Sequence, residues 1–518
     1  MGEEMNLEAP GEAKEGNESQ NGRCCECLWT PIDWIKMLAT EMHWTFVFGV
    51  VVVYGISQGL GGALVRVGTE YYMKDVQKVQ PSESQVYSGI TSIPWIVKPV
   101  WGLLTDVLPI FGYRRHPYFI LAGFLGVISM LVLSLHQNLH LALAVMSLTA
   151  RNAGVAIADV TIDACIAQNS ISHPSLASDM QSLCSVSAAI GALVGYSISG
   201  ILVHLIGPQG VYGLMTIPSG LVLLVGMLLN EPQISDFDYK QVPDFTFFII
   251  HSYTDSGFVI QVNRKFSDAR KAMWTTLKVP IVWRCCLYMY LSLALSLSIH
   301  EGLFYWYTDS EAGPAFSQET VGYILSIGPV GTILAAILYQ NSLKDYPFHN
   351  VLFWAQLLSG LSGILDLMLV LRLNLALGIP DFAAVVIDEG VSKLVGQMKW
   401  MPLLVLSSRL CPPGIEGTFF ALLMSIDNCG LLSSSWLGGL LLHVLKVTRT
   451  RFDKLWLAII IRNILRVAPL CVIFLVPRGD PDSSFLPAEV TSTEEASSAQ
   501  EPENIELVAL VDSVDEGL

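Results

Sequence analysis

Long apolar stretches recur along most of the chain, and polar segments of varying length separate them. An α-helix needs about 20 mostly apolar residues to cross a lipid bilayer. Twelve stretches meet this requirement, at about residues 45–65, 85–105, 117–136, 140–163, 181–205, 210–229, 281–306, 319–339, 349–371, 380–407, 416–443 and 454–476. The pattern therefore predicts an all-α membrane protein with twelve transmembrane helices.

The polar segment 230–279 divides the twelve stretches into two groups of six. Six helices, a long loop and six further helices are the layout of two homologous bundles joined in the middle. We expect an N-terminal six-helix bundle over residues 45–229, a central cytosolic loop over 230–279 and a C-terminal six-helix bundle over 280–476. The even number of helices places both chain ends on the same side of the membrane.

The composition indicates a membrane-embedded body between two acidic tails. Hydrophobic residues make up 52% of the 518 residues and charged residues only 14%, whereas a soluble domain has roughly 25% charged residues. The formal net charge of −16 resides in the tails, because residues 1–44 hold nine acids and three bases and residues 477–518 hold eleven acids and one base. We expect both tails to be solvated and the C-terminal one to be disordered. The negative charge argues against nucleic-acid binding.

Basic residues in the loops predict the orientation. With both tails in the cytosol, fourteen Lys and Arg lie on the cytosolic side and eight on the outer side, Arg66 and Lys74 among the eight. Enrichment of Lys and Arg on the cytosolic side is the rule for membrane proteins, so we expect both termini to be cytosolic. Residues 1–44 show neither a signal-peptide nor a transit-peptide pattern. We therefore expect the plasma membrane or the vacuolar membrane rather than the plastid envelope.

Ionisable residues inside the predicted helices are the candidate functional residues, because each costs about 2.5–3.5 kcal/mol at the bilayer centre on insertion scales. The set includes Lys98 in the second helix, Arg151, Asp159 and Asp163 in the fourth, Glu301 in the seventh, and Asp388 and Lys393 in the tenth. Arg151, Asp159 and Asp163 recur at multiples of four residues, so they share one face of their helix.

The fourth and tenth helices hold equivalent places in the two bundles. Charge on both of them predicts a polar cavity at the interface between the bundles. The alternative is that buried ion pairs simply hold neighbouring helices together. The sequence contains no phosphate-binding loop, zinc-protease motif or hydrolase elbow. We therefore expect a carrier driven by a gradient, with no enzymatic activity, no cofactor and no metal site.

Small residues predict where helices pack closely. Gly191 and Gly195 in the fifth helix form a small-xxx-small pair, and Gly55, Gly59 and Gly62 are spaced similarly in the first helix.

The segment after the second helix reads GLLTD at Gly102–Asp106 and GYRRHPY at Gly112–Tyr118. It resembles the signature between helices 2 and 3 of the major facilitator superfamily. An acid at a helix end and a basic pair in a tight loop are able to latch the cytosolic ends of neighbouring helices. We assign this cytosolic latch to Asp106, Arg114 and Arg115.

Three further blocks are similar to the plant-type branch of the folate–biopterin transporter family, within the major facilitator superfamily. They are YSGITSIPWIVKPVWGLLTD at Tyr87–Asp106, ADVTIDACIA at Ala158–Ala167 and MPLLVLSSRLCPPGIEGTFFALLMSIDN at Met401–Asn428. The resemblance covers residues 40–476. It implies a carrier that moves folates or pterins across the lipid bilayer together with protons. We expect this carrier to be a monomer.

Under this resemblance the charged residues acquire expected roles. A carboxylate of Asp159 or Asp163 accepts hydrogen bonds from the pterin ring. Lys98, Arg151 and Lys393 pair with the carboxylates of a folate glutamate tail. We assign the coupled proton to Asp163, Glu301 and Asp388. Two other functions stay open: transport of another organic anion, and a receptor or scaffold on a transporter fold that signals through its acidic tails.

Overall fold

The computed structural model describes residues 33–478 apart from 109, 111, 137, 230, 232–266, 268–270, 272, 345 and 412–415. Most of both predicted tails and most of the predicted central loop lie outside the described residues.

The described residues fold into helices, with no β-strand beyond one isolated bridge between Ile110 and Tyr113. The helices before the central loop are α1 (Trp44–Val76), α2 (Pro81–Thr91), α3 (Ile93–Ile96), α4 (Lys98–Val107), α5 (His116–Leu135), α6 (Leu141–Ser172), α7 (Ala177–Leu214) and α8 (Thr216–Leu228). Those after it are α9 (Pro280–Ala294), α10 (His300–Tyr307), α11 (Gln318–Leu338), α12 (Phe348–Val370), α13 (Leu373–Ala376), α14 (Asp381–Arg409), α15 (Glu416–Val444) and α16 (Leu455–Val467), followed by a 3₁₀ segment over Ala468–Leu475.

Each of the twelve predicted stretches coincides with helix, which confirms the all-α membrane fold. Seven helical segments within the described residues are long and apolar enough to cross a bilayer. One of them, Asp179–Leu228, has 50 residues and breaks at Gly207, where φ is 70° directly before Pro208. Two predicted stretches, 181–205 and 210–229, lie on either side of this break. The number of twelve crossings stays a prediction.

Two of the predicted spans are broken rather than continuous. The second divides into α2, α3 and α4, because Pro94 and Pro99 each lack the N–H that a helix interior requires. The seventh divides into α9 and α10, with Leu297 between them at a φ of 29°. Broken helices expose backbone carbonyls inside a membrane protein, where they serve as hydrogen-bond acceptors.

The first helix is longer than its apolar stretch. It continues to Val76 and contains a π-helical segment over Val51–Leu60. The assignment of Arg66 and Lys74 to an outer loop is therefore wrong. Hydropathy falls after residue 65 because the sequence becomes charged, but tertiary packing supports these turns, and Glu70 among them is buried.

The helices before the central loop, α1–α8, are called here the N-terminal bundle, and those after it, α9–α16, the C-terminal bundle; the predicted six crossings in each stay a prediction. The two bundles meet along two seams. In one, α7 packs on α11, and in the other α2 and α4 pack on α15. At the end where α1 and α10 finish, which we call the far end, a single apolar core contains residues of both bundles, including Tyr71 and Phe304, whose rings meet edge to face at 5.1 Å. At the opposite end each bundle has its own core. The bundles are thus joined at the far end and have separate cores at the end from which α1 and α9 start.

Candidate functional site

A lysine and two aspartates meet inside the N-terminal bundle. Lys98 begins α4 after the break in the second span, and its Nζ lies 2.5 Å from Asp159 Oδ2 and 3.3 Å from Asp163 Oδ2. Both aspartates come from α6, one turn apart, so a single ammonium reaches both carboxylates. The side chain of Asp159 is 5% exposed and that of Asp163 is 44% exposed. The three residues, named here the Lys98 triad, carry a net charge of −1 when all are ionised.

The first helix completes this cluster with two polar side chains that the sequence analysis did not single out. Tyr54 Oη donates a hydrogen bond to Asp163, and Gln58 Nε2 donates to Asp159 Oδ1 at 2.7 Å. Both belong to the π-helical segment of α1, and π-bulges are frequent at functional sites. Their spacing of four residues within the largely apolar stretch 45–65 was the available sequence signal.

Arg151 lies apart from the triad, nearer the far end of the same helix. Its guanidinium donates to Asn152 Oδ1 at 3.2 Å and to Ser57 O at 3.5 Å. Among the described residues, no carboxylate oxygen lies within 4.0 Å of it. A buried arginine without a carboxylate partner is a candidate ligand for an anion.

A cavity of about 350 Å³ separates the two bundles beside Arg151. Both bundles line it, and its polar lining residues include Arg66, Glu70, Ser84, Gln85, Arg151, Asn152, His300 and Glu301. Cavities of about 300–1,000 Å³ are typical of small-molecule sites. The arrangement provides both hydrogen-bond donors and acceptors for a polar ligand.

Glu301 belongs to this wall and connects the bundles. It is buried, and Ser84 Oγ donates to its Oε2 at 2.8 Å, while its own backbone N–H donates to Gln85 Oε1 at 3.1 Å. The neighbouring His300 Nε2 lies 2.8 Å from Glu70 Oε1. The contacts of Glu301 join α10 to α2, and the contact of His300 joins α10 to α1, so all of them cross the interface between the bundles.

Comparison with known proteins identifies the family. The model of the BT1 family matches residues 58–496. The chain belongs to the BT1 family.

Two relatives and one solved structure illustrate the range of similarity. A protein of Arabidopsis thaliana named "Probable folate-biopterin transporter 2" is 60% identical over 99% of both chains. A Synechocystis protein named "Folate-biopterin transporter" is 31% identical, covering 86% of this chain and 84% of its own. The solved xylose transporter XylE of E. coli is 14% identical, with a TM-score of 0.56 over 84% of this chain and 95% of that one. The resemblance to folate–biopterin transporters and the major facilitator fold are thereby confirmed.

The remaining predicted residues of this BT1 family member lie in the C-terminal bundle. Lys393 Nζ is 3.5 Å from Glu389 Oε1, and the lysine is packed against Gly328 of α11. Asp388 is buried beside Asp366, which forms an ion pair with Arg462. The structure therefore does not place Lys393 or Asp388 in the Lys98 triad. Among the described residues, no group of three His, Cys, Asp or Glu side chains is arranged to hold a metal ion.

The predicted latch region also contains Glu231, which the sequence analysis did not single out. Arg115 Nη1 donates to Thr105 Oγ1 at 3.1 Å, which links the start of α5 to α4. The carboxylate of Glu231, just after α8, accepts the backbone N–H groups of Arg114, Arg115 and His116 at 2.7–3.1 Å. The side chain of Asp106 lies outside the described residues, so its part in the latch stays a prediction.

Proposed function

We propose that this chain is a secondary active transporter of folates or pterins that is coupled to protons and works by alternating access. The observation that carries the proposal is the Lys98 triad, because a polar cluster of this kind inside a membrane bundle is expensive unless it serves a solute. The names of the BT1 relatives supply the substrate class. The joined far end and the separate cores at the other end correspond to one of the two states that alternating access requires.

In this proposal the half-exposed Asp163 accepts N–H groups of the pterin ring, and Asp159 holds Lys98 in position. Arg151 binds a carboxylate, since the described residues offer it none. Lys393 provides a second cation for the substrate from the C-terminal bundle.

The coupled proton is carried by carboxyl groups of the interior. The side chain of Asp163 is 44% exposed, Glu301 joins the two bundles, and Asp388 is buried near a second buried aspartate, Asp366. We further propose a monomer with both termini in the cytosol, in the plasma or vacuolar membrane.

The direct test is uptake of radiolabelled folic acid by the purified protein in liposomes, with and without an inward proton gradient. We expect accumulation that collapses when a protonophore is added. Protein-free liposomes and the Asp163→Asn variant serve as controls. If neither folic acid nor unlabelled pterins bind or move, the fold stands but the proposed substrate class is wrong.

Removing residues 479–518 separates a transporter from a signalling scaffold. We expect the truncated protein to keep its uptake rate within about twofold, because the membrane body holds the substrate site. A scaffold that acts through its acidic tail would retain binding but lose its cellular activity. Uptake in liposomes and complementation in cells are the two measurements.

A further inference from the structure

One face of α1 is turned toward the cavity between the bundles. Within residues 61–70 of α1, only Gly62, Arg66 and Thr69 are incompletely buried, and all three line the cavity. Their spacing of four and three residues places them on one side of the helix. The exposed side of this part of α1 therefore faces the cavity.

Gly62 leaves an empty place beside the cavity. Among the described residues beyond its own helix turn, no atom would lie within 4 Å of a Cβ on Gly62. A Cβ on Gly59, in contrast, would lie 2.6 Å from Ala188 O of α7, so Gly59 is needed for close packing. A glycine inside a helix is less favourable than an alanine. Gly62 thus has a cost in helix stability and no packing reason, and the space that it leaves belongs to the cavity.

Two arginines border this space. Arg66 comes one helix turn later on α1, and Nη2 of Arg151 lies 3.8 Å from a Cβ built on Gly61. A guanidinium has five N–H donors. The contacts of Arg66 with Glu70 and His300 use at most two of them, and the two contacts of Arg151 described above use two more. Both side chains thus retain donors, and a guanidinium binds a carboxylate through two parallel hydrogen bonds.

The acids that line the cavity do not neutralise Arg151. Glu70 contacts His300, and Glu301 accepts a hydrogen bond from Ser84. Within the described part of the chain, no carboxylate oxygen lies within 4.0 Å of the Arg151 guanidinium. An arginine keeps its positive charge even when it is buried. Arg151 therefore offers an anionic ligand a full positive charge at the edge of the cavity.

The same two helices connect the cavity with the Lys98 triad. Gln58 of α1 donates to Asp159 in the triad, and Gly62 follows Gln58 by four residues. On α6, eight residues separate Asp159 from Arg151, which corresponds to about 12 Å of helix. A ligand that reaches from the triad to Arg151 therefore lies beside Gly62. It must be elongated, with a polar ring at one end and an anionic group at the other.

We propose that Gly62 determines which length of substrate the transporter accepts, because its missing side chain leaves room for the acidic arm of a folate. The proposal rests on the proposed transport of folates or pterins and assigns the cavity to one part of a folate, the aminobenzoyl-glutamate arm. The pterin ring lies at the Lys98 triad, the arm passes Gly62, and its carboxylates bind Arg66 and Arg151. Biopterin has the same ring with only a short hydroxylated side chain, so it does not need this space.

The size of the side chain at position 62 tests the proposal. In the purified protein, Gly62→Leu is expected to weaken the binding of folic acid at least about tenfold, the effect of lost space in a binding pocket. The binding of biopterin is expected to change less than about twofold. Gly62→Ala is expected to keep both ligands and to raise the melting temperature, because alanine favours the helix. Gly220→Leu is the matched control, since a Cβ on Gly220 also meets no atom within 4 Å and Gly220 is not among the residues that line the cavity.

Several outcomes would overturn the proposal. They are equal weakening of folic acid and biopterin by Gly62→Leu, unchanged binding of folic acid in that variant, and loss of folic acid binding already in Gly62→Ala. The last of these would show that the helix itself requires the glycine. A wild-type protein that binds biopterin but not folic acid also contradicts the proposal. A wild-type protein that binds neither ligand contradicts the proposed function instead.

Two variants of equal size test the position of the carboxylates. Gly62→Asn and Gly62→Asp fill the same volume, but the second adds a negative charge four residues before Arg66. We expect Gly62→Asp to bind folic acid at least about tenfold more weakly than Gly62→Asn, because like charges beside one another are unfavourable. Biopterin is expected to bind equally to both variants, and their melting temperatures report whether both fold. Equal affinity of the two variants for folic acid would show that its carboxylates lie elsewhere and would refute the proposal.

Discussion

Asp159 and Asp163 share one lysine but differ in their exposure to solvent. Asp159 is 5% exposed and receives two hydrogen-bonding partners, Lys98 and Gln58, whereas Asp163 is 44% exposed. Exposed ion pairs contribute little to stability, and buried ones cannot lose a partner without a large cost. We therefore expect the buried Asp159 to stabilise the fold and the more exposed Asp163 to contact the substrate.

This difference predicts opposite outcomes for two matched variants. Asp159→Asn is expected to lower the free energy of unfolding by roughly 3 kcal/mol, because the buried Lys98 loses its nearest counter-charge. Asp163→Asn is expected to cost less than about 1 kcal/mol but to reduce pterin uptake at least tenfold. Thermal unfolding in detergent and initial uptake rates are the two measurements. Equal loss of stability in both variants would show that exposure does not separate their roles.

Sequence reasoning found the charges of the triad but not its whole composition. Lys98, Asp159 and Asp163 are conspicuous because charge is costly in an apolar helix. Tyr54 and Gln58 are uncharged, and nothing in their spacing shows that α1 lies next to α6. Their contribution depends on tertiary contacts between segments about 100 residues apart in sequence, as the separation of 101 between Gln58 and Asp159 shows.

At the scale of elements, glycines set how closely the helices approach. Gly191 and Gly195 of α7 lie against the backbone of α1, where a Cβ on Gly195 would come within 2.7 Å of Leu60 O. This confirms the close packing predicted for these glycines, and the structure shows that the fifth and first helices are the partners. Gly62 is different, because a Cβ there would meet no atom within 4 Å. The spacing of small residues predicted the face correctly but not which members carry the contact.

Gly200 performs the same role between the bundles. A Cβ on Gly200 of α7 would lie 2.7 Å from Glu319 Cα of α11. We expect Gly200→Val to push α7 and α11 apart and to lower both the melting temperature and the uptake rate. Gly220→Val is the control, because no atom lies within 4 Å of a Cβ at that position. Similar effects of both substitutions would contradict the proposed close approach.

A single carboxylate organises the start of α5. Glu231 accepts three successive backbone N–H groups at a helix N-terminus, where negative charge is favourable. Glu231→Gln is expected to cost about 1–2 kcal/mol of stability, in the range of lost helix caps. Asp453→Asn, at an exposed surface ion pair, is the comparison and is expected to have little effect. The measurement is the melting temperature of both variants under the same conditions. An equal melting temperature for Glu231→Gln and Asp453→Asn would contradict the role of Glu231.

At the scale of the whole molecule, contacts at the far end hold the two bundles together. Lys74 Nζ of α1 donates to Thr308 Oγ1 at 2.6 Å, and Tyr305 Oη donates to Val79 O at 3.1 Å. His300 Nε2 also lies 2.8 Å from Glu70 Oε1 across the same interface. A carrier that alternates between two openings must break these contacts in each cycle.

Locking the far end is therefore expected to stop transport. When Lys74→Cys and Thr308→Cys are introduced together, a short bis-methanethiosulfonate, which joins two cysteines through disulfide bonds, should reduce uptake to background. Cleaving the link with a reducing agent should restore it, and each single variant should be unaffected by the reagent. Continued uptake by the linked protein would show that the bundles do not separate at this end.

The sequence by itself determined the class of this protein, because long apolar stretches leave a chain few alternatives to helices in a bilayer. It also identified the charged residues, since their cost inside a membrane is a property of each residue alone. Only the tertiary structure decided which charges meet. It joined Lys98 to two aspartates, left Arg151 and Lys399 without carboxylate contacts among the described residues, and placed the polar end of α1 between the bundles. Which charged residues contact each other depends on how helices far apart in sequence pack, and the hydropathy pattern does not contain this information.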